Sequence, residues 1–389
     1  MKLTSIEKKA ATSLAGIYGL RMFGLFLVMP VLFLHAQDMA DFTPLLAGLA
    51  IGIYGLGQAM LQIPFGYLSD RIGRKPVIIM GLLIFAFGSI VAAYADTVMG
   101  LIIGRALQGA GAIASTLMAL AADLSRPELR SKMMAVIGAT IGVSFILALI
   151  AGPWLAGEVG ISGLFWLTAG LALAAIAVVQ WVTPSGNLKT GNLAVLPAKQ
   201  QLHAVLKNGQ LQRMNLGILL MHLFLTAIFV ILPAQLIEKG LPLTSHSWTY
   251  LLLLFGGFIA MLPALIWVEK NKAHKVGFSA SVTLLVIANL LMGLTNNLTG
   301  LLIGLGIFFL AFNFLEASLP AIVSRLCSED NRGTAMGVYS TSQFSGAFLG
   351  GVMAGLILQY GDYQWIFLSL AALSIIWLVA LRGMASVAD

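Results

Sequence analysis

Residues 276–315 read VGFSASVTLLVIANLLMGLTNNLTGLLIGLGIFFLAFNFL, a run without Lys, Arg, Asp or Glu. As an α-helix, roughly 20 apolar residues cross the ~30 Å hydrocarbon layer of a bilayer. The run is therefore long enough for two crossings, with polar Thr295-Asn296-Asn297 as the turn between them. A membrane β-barrel is excluded, because its strands are about ten residues long and alternate apolar with polar. Further charge-free stretches lie at 42–69, 76–95, 133–157, 159–188, 214–237, 240–268 and 333–361. The spans that carry an ionisable group hold Arg21 in the first, Arg105 in the fourth and Glu316 in the tenth. Twelve spans result, centred near 22, 57, 86, 109, 145, 172, 225, 257, 285, 311, 346 and 373.

Composition agrees. Of 389 residues, 59% are hydrophobic and 10% charged, and the mean hydropathy is +0.95. Too few charges exist to cover a water-facing surface, so lipid is the solvent for most of the chain. The net charge of +7 does not indicate a nucleic-acid partner, because the cations fall on one side of the predicted topology. With the N-terminus inside, Lys8, Lys9, Arg71, Arg74, Lys75, Arg126, Lys132, Arg213, Lys270, Lys275, Arg325 and Arg382 are all cytoplasmic. Among outward loops only the one after span seven has a cation, Lys239. This bias predicts an inner-membrane protein with both termini in the cytoplasm. The single cysteine, Cys327, excludes an intrachain disulfide. The first apolar run lacks small-residue cleavage punctuation and is interrupted by Arg21, so it reads as a retained helix.

One long hydrophilic connection, 184–213, divides the chain into bundles at 1–183 and 214–389. It contains Pro184, Gly186, Gly191 and Pro197, then a weakly amphipathic stretch with Leu202, Val205 and Leu206 on one face. It is expected to lie along the cytoplasmic surface as a linker. The halves repeat at an offset of about 200. Leu101-Ile102-Ile103-Gly104 recurs as Leu301-Leu302-Ile303-Gly304, and Pro64 before Asp70-Arg71 recurs as Pro263 before Glu269-Lys270. Parallel six-helix repeats place a binding site near the bilayer midplane.

The most specific local motif is Gly66-Tyr67-Leu68-Ser69-Asp70-Arg71-Ile72-Gly73-Arg74-Lys75, between spans two and three. Gly66 permits close helix contact, Gly73 a tight turn, Asp70 a negative group and Arg74 a planar cation. The segment resembles the signature G-x-L-x-D-R-x-G-R-[RK] of the major facilitator superfamily. That resemblance implies a conformational gate in which Asp70 faces the N-terminus of span eleven, where Gly333 and Gly337 leave room. Asp123, at the end of span four, is the expected partner of Arg74. Arg105-Ala106-Leu107-Gln108-Gly109-Ala110-Gly111-Ala112 resembles the same superfamily's R-x-x-Q-G-x-G-A pattern and implies that Arg105 influences proton transfer. A guanidinium there costs about 2.5–3.5 kcal/mol on insertion scales. It must face a hydrated cavity, or else serve as a buried structural group bonded to carbonyls. Ala148, Gly152-Pro153, Ala156 and Gly157 are similar to the antiporter branch's G-x-x-x-G-P-x-x-G-G, with alanines at two glycine positions. A helix kink at Gly152 and Pro153 and drug:proton antiport are what this implies. Leu20-Arg21-Met22-Phe23-Gly24, Gly52-Ile53-Tyr54-Gly55-Leu56 and Gly333-Thr334-Ala335-Met336-Gly337 extend the resemblance over essentially the whole chain. The similar drug-efflux members can carry a soluble C-terminal domain. This sequence runs only to Asp389, so regulation by such a domain is not expected.

Glu316 is the first choice for a proton carrier, since a carboxylate within a span must be protonated, paired or hydrated. Direct substrate contact and a structural hydrogen bond are its alternatives. His222, in span seven of the same half, titrates near physiological pH and could share that proton. Arg21, Met22, Phe26 and Asn313 are candidates for a substrate cavity, although aromatic and Met spacing of this kind also describes ordinary packing. No Gly-x-x-x-x-Gly-Lys loop, metal-ligand spacing or nucleophile–base pair is present, so neither an enzyme nor a cofactor is expected.

The expectation is an all-α membrane protein, twelve transmembrane helices in two six-helix pseudo-repeats. It would act as a monomeric secondary transporter exporting small amphipathic compounds in exchange for protons. Proton-coupled uptake of a sugar or metabolite, and a non-transporting sensor, are the competing readings.

Overall fold

The computed structural model describes residues 4–126, 129–184, 198–327 and 331–385, with side chains at all but 130, 131, 198 and 199. Residues 185–197 of the expected linker lie outside the described residues. No β-strand occurs among those described. The chain divides into two compact units, Met1–Gly191 and Asn192–Asp389.

The first unit contains α1 (Ser5–Leu27), a short α2 (Leu32–Ala36), α3 (Pro44–Ile72), α4 (Arg74–Ala93), α5 (Val98–Ala110), α6 (Ala114–Asp123) and α7 (Arg130–Ala177). A π-helical turn, Val178–Val182, ends α7. The second contains α8 (Ala198–Lys207), α9 (Gly209–Glu238), α10 (Leu243–Lys270), α11 (His274–Leu294), α12 (Leu298–Leu326), α13 (Arg332–Tyr360) and α14 (Tyr363–Leu381).

Eleven helical runs among the described residues are long and apolar enough to cross a membrane, and one of them, Lys132–Val182, has 51 residues. At ~1.5 Å per residue that run is about twice the thickness of a bilayer. It breaks at Gly160 (φ 66°, ψ 177°), a backbone conformation open in practice only to glycine. Counted as two, it brings the total to twelve spans. This break separates spans five and six, next to the Glu158 that divides the charge-free stretches 133–157 and 159–188. Within span five, Pro153 removes one hydrogen bond from the helix. A Cβ on Gly152 would sit 2.9 Å from Pro30 Cγ, so this glycine serves close packing against the end of α1.

Both units use the same internal pairings. In the first, α1 packs on α7, α3 and α4 on α5, and α4 on α7. In the second, α9 packs on α13, α10 and α11 on α12, and α11 on α14. The repeat extends to capping. Thr97 Oγ1 accepts from the Gly100 N–H at 3.1 Å, and Asn297 Oδ1 from the Gly300 N–H at 2.7 Å. Small residues set the spacing, as is usual where helices gain nothing from excluding water. A Cβ on Gly104 would meet Ala92, and one on its counterpart Gly304 would meet Met292.

The amphipathic α8 departs from its expected face. Val205 and Gln201 are buried, with Gln201 Oε1 accepting from Thr334 Oγ1 on α13 at 2.9 Å, while Leu202 and Leu206 stay exposed. The i, i+4 pair 201/205 points at α13, and the leucines are left on the outer side.

Two outcomes follow. A Cβ at Gly88 would lie 2.5 Å from the Gln108 amide nitrogen and 2.9 Å from the Leu107 carbonyl carbon, whereas one at Gly138 would meet nothing within 4 Å. Gly88→Ala should cost about 1–3 kcal/mol and lower the thermal midpoint in detergent, and Gly138→Ala should leave it unchanged or raise it. Equal midpoints would remove the packing argument. Asp41, in the turn before α3, accepts the Val98 and Met99 N–H groups at 2.7 and 3.1 Å. These bonds hold its carboxyl below the usual carboxylate range. The depressed value means that the contribution to stability is present at neutral pH and lost as pH falls through the folded pKa. Asp41→Asn should lower stability at pH 7 and flatten the acid limb of a stability–pH curve.

Candidate functional site

Gly73 ends α3 with φ 99° and ψ 154°, a left-handed position that turns the chain directly into α4. The turn brings four polar groups together. Arg74 Nη1 lies 2.5 Å from Asp70 Oδ1 and 2.6 Å from Ser69 Oγ, and Arg74 Nε donates to Asp123 Oδ2 at 3.1 Å. Gly66 leaves a gap that a Cβ would close to 3.3 Å from Ser115 Oγ on α6. The Arg71 guanidinium lies over the Tyr67 ring, 4.4 Å from its centroid. These pairs are partly exposed, and pairs of that kind contribute about 0–1 kcal/mol. A Cβ on Gly333 or Gly337 would meet nothing within 4 Å.

The second unit has a corner of the same build. Glu269 ends α10, His274 begins α11 and Arg325 ends α12. Arg325 Nη2 donates to Glu269 Oε2 at 2.9 Å and Arg325 Nη1 to His274 Nε2 at 3.2 Å. His274 Nδ1 is 4.0 Å from Glu269 Oε1. Here the cation sits on the last helix of the corner, where the first unit has Asp123. Sequence reading matched Glu269 to Asp70 but missed His274 and Arg325, although His274 stands 200 residues after Arg74.

Arg21 and Arg105 are both in the interior of the first unit, 0% and 4% exposed. Span four is discontinuous: α5 ends at Ala110, α6 begins at Ala114, and the backbone between is not helical. Carbonyls released there require donors. Arg21 Nη2 donates to Gly111 O at 3.2 Å and to Tyr54 Oη at 2.8 Å, and Gln58 Nε2 donates to Gly109 O at 2.8 Å. Arg105 donates to Ala50 O (3.3 Å) and to Gln108 Oε1 (2.8 Å), and Gln108 Nε2 donates to Ser89 Oγ (2.7 Å). Among the described residues neither guanidinium meets a carboxylate, and Arg21 Nε and Nη1 have no partner. In this structure both arginines are enclosed by their own unit, in the geometry of carbonyl-bonded structural groups. Met22 is buried beside Arg21 in sequence, and Phe26 packs edge-on against Phe145 at 4.7 Å.

In the second unit Glu316 is half-buried on α12, and its Oε2 is enclosed without a hydrogen-bond partner. The expected His222–Glu316 pair is not formed. Gln343 Nε2 donates to His222 Nε2 at 2.8 Å instead, and the His222 ring lies 6.1 Å from that of Phe312. Asn313 Nδ2 donates to Leu254 O on α10 at 3.3 Å, a helix–helix tie. A further ion pair escaped sequence reading: Glu7, 4% exposed, receives Arg126 Nε at 2.8 Å and Nη2 at 3.0 Å. The capping box Thr4-x-x-Glu7 was its available signal.

Twelve spans, two internally repeated units and ionisable groups inside the spans define a polytopic helical transport protein. The chain belongs to the major facilitator superfamily, whose family model matches residues 14–234 and 214–386. It is 41% identical over 384 residues to the inner membrane transport protein YajR of Escherichia coli (strain K12), covering 98% of this chain and 85% of that protein. It is 24% identical to the multidrug resistance protein MdtH of Baumannia cicadellinicola, over 88% of this chain and 82% of that one. Among solved structures, a bacterial homologue of the human lysosomal transporter Spinster, inward-facing and occupied, superposes with a TM-score of 0.79. That structure shares 13% identity, with 100% and 98% of the two chains covered, which speaks for the fold. The named relatives are transporters and not enzymes.

Removing the Gln108 amide strips the buried Arg105 of a neutral acceptor and Ser89 of a donor. Gln108→Leu should cost about 1–3 kcal/mol, seen as a lower thermal midpoint in detergent. An unchanged midpoint would mean that water already serves Arg105.

Proposed function

We propose that this transporter exports small amphipathic compounds across the bacterial inner membrane in exchange for protons, alternating between outward- and inward-open states. The observation that carries the reading is the Glu316 carboxyl, placed in the middle of a membrane span with an enclosed oxygen and no hydrogen-bond partner. A fixed structural carboxylate would be expected to have its lone pairs satisfied. One that exchanges a proton must tolerate both the neutral and the charged state, and a site lacking committed partners permits this. The His222–Gln343 pair adds polar groups on α9 and α13 in the same unit. The names of YajR, an inner membrane transport protein, and MdtH, a multidrug resistance protein, support the location and the efflux reading.

The weak ion pairs around Arg74, and those around Arg325, suit a gate, because each costs less to break than the driving energy available. One charge crossing 100 mV is worth about 2.3 kcal/mol. The excess of cations on one set of loops supports placing both termini in the cytoplasm, with the protein working as a monomer. Arg105 would influence proton movement through the Gln108–Ser89 chain.

Proteoliposomes loaded with ethidium and given an imposed pH gradient test this reading. Dye should leave against its gradient only when protons run the other way. Glu316→Gln should abolish gradient-driven movement while keeping dye-induced thermal stabilisation. Dye or sugar moving in the same direction as protons would replace export with uptake. Dye movement by Glu316→Gln equal to wild type would remove the carboxylate from the mechanism.

A further inference from the structure

Where α9 begins and α14 ends, the second unit has an open groove of ≈ 380 Å³ lined by Gly209, Gln212, Arg213, Leu216, Val379, Ala380 and Gly383. Leu216, Val379 and Ala380 make its lining apolar, and Arg213 is the cation in it. Arg213 Nε donates to Ala380 O at 3.1 Å and Nη1 to Gly209 O at 3.0 Å. The third nitrogen, Nη2, beside Gly383, has no hydrogen-bond partner among the described residues. Lys275 Nζ donates to the Arg382 carbonyl at 2.8 Å, which holds a second cation beside the end of α14. The exposed Arg382 side chain adds a third cation and makes no bond to the described residues. No acidic side chain lines the groove among the described residues.

Carbonyl capping at the end of α14 accounts for part of this arrangement, since cations favour helix C-termini. It does not require three of them, nor a guanidinium with one edge turned outward. The groove lies where two apolar spans, α9 and α14, begin and end, so an occupant apolar along Leu216 and Val379 and anionic at Arg213 fits it. We propose that this groove binds the headgroup of an anionic phospholipid, with the phosphate against Arg213 Nη2 and Arg382 and the upper acyl chain along Leu216 and Val379. Guanidinium and phosphate pair through parallel charge-assisted hydrogen bonds. Basic residues next to a membrane span draw anionic lipid in the same way.

The test is native mass spectrometry of the full chain in neutral detergent, titrated with phosphatidylglycerol, phosphatidylcholine or glycerol phosphate. Phosphatidylglycerol should be retained in preference to phosphatidylcholine. Arg382→Gln, which breaks no internal bond, should weaken it by about fivefold, and Arg213→Gln by at least as much. Lys270→Gln, an exposed cation at the end of α10, should have no effect. Equal retention of the two lipids would overturn the proposal, as would an equal loss in Lys270→Gln, which would mean unspecific surface charge. Competition by glycerol phosphate at the same concentration would reassign the groove to a soluble phosphate. Binding that appears only after deletion of residues 386–389 would assign it to the chain's own C-terminus.

Discussion

Hydrocarbon offers no hydrogen bonds, so each polar atom inside a span must find a partner in the protein or be held without one at a cost of several kcal/mol. Most of the arrangement inside the first unit follows from this constraint. The backbone of span four leaves the helix at 111–113, and the carbonyls it frees would be unaffordable against lipid. Arg21 and Gln58 reach them from neighbouring helices. The arginine in turn is tolerable only because Tyr54 and the freed carbonyl receive it. Break and guanidinium thus justify each other, and removing one leaves the other stranded.

The two units share their helix pairings but not their electrostatics. The second has an unbroken α12 where the first has α5 and α6, missing only the helix bond that Pro320 cannot donate, and none of its described arginines is buried. Its intramembrane charge is Glu316, of the opposite sign. The corners differ in the same sense: an acidic residue at the end of α6 and an arginine at the end of α12. Duplication accounts for the pairings, caps and glycine contacts. The ionisable groups differ between the units: Arg21 and Arg105 lie inside the first, and Glu316 lies inside the second.

Much of the fold was legible because lipid makes the rules simple. Run length gave the spans, and Thr295-Asn296-Asn297 marked a turn that the structure places between α11 and α12. Gly73 was readable as a turn because a motif surrounded it. Gly160 was not, since one glycine among many carries no signal until its φ is known, although Glu158 marked the boundary between spans five and six. The Arg74–Asp123 contact followed from chain order, as both residues end or begin a span on the same side. The His222–Glu316 pairing failed for a geometric reason. Membership of one bundle does not specify helix rotation, and the rotation of α9 sets His222 against Gln343 on α13. Arg21 and Arg105 were recognisable as costly, but whether such a group lines water or bonds carbonyls depends on a helix break that periodicity hides.

The strength of these interactions also sorts them by task. Glu7 and Arg126 form a two-pronged contact with the carboxylate buried, and breaking it would leave a charge unpaired away from water. Such a contact can fasten α1 but is poorly suited to a switch. The Asp70–Arg74–Asp123 and Glu269–Arg325 pairs lie at the surface, where water replaces a lost partner at little cost. A transporter needs both kinds: pairs that keep each unit rigid while it moves, and pairs weak enough that a single proton or substrate can decide whether they are made. In this chain the strong contacts lie within the units' interiors or at α1, and the weak ones at the turns between successive spans, where a change of state costs least.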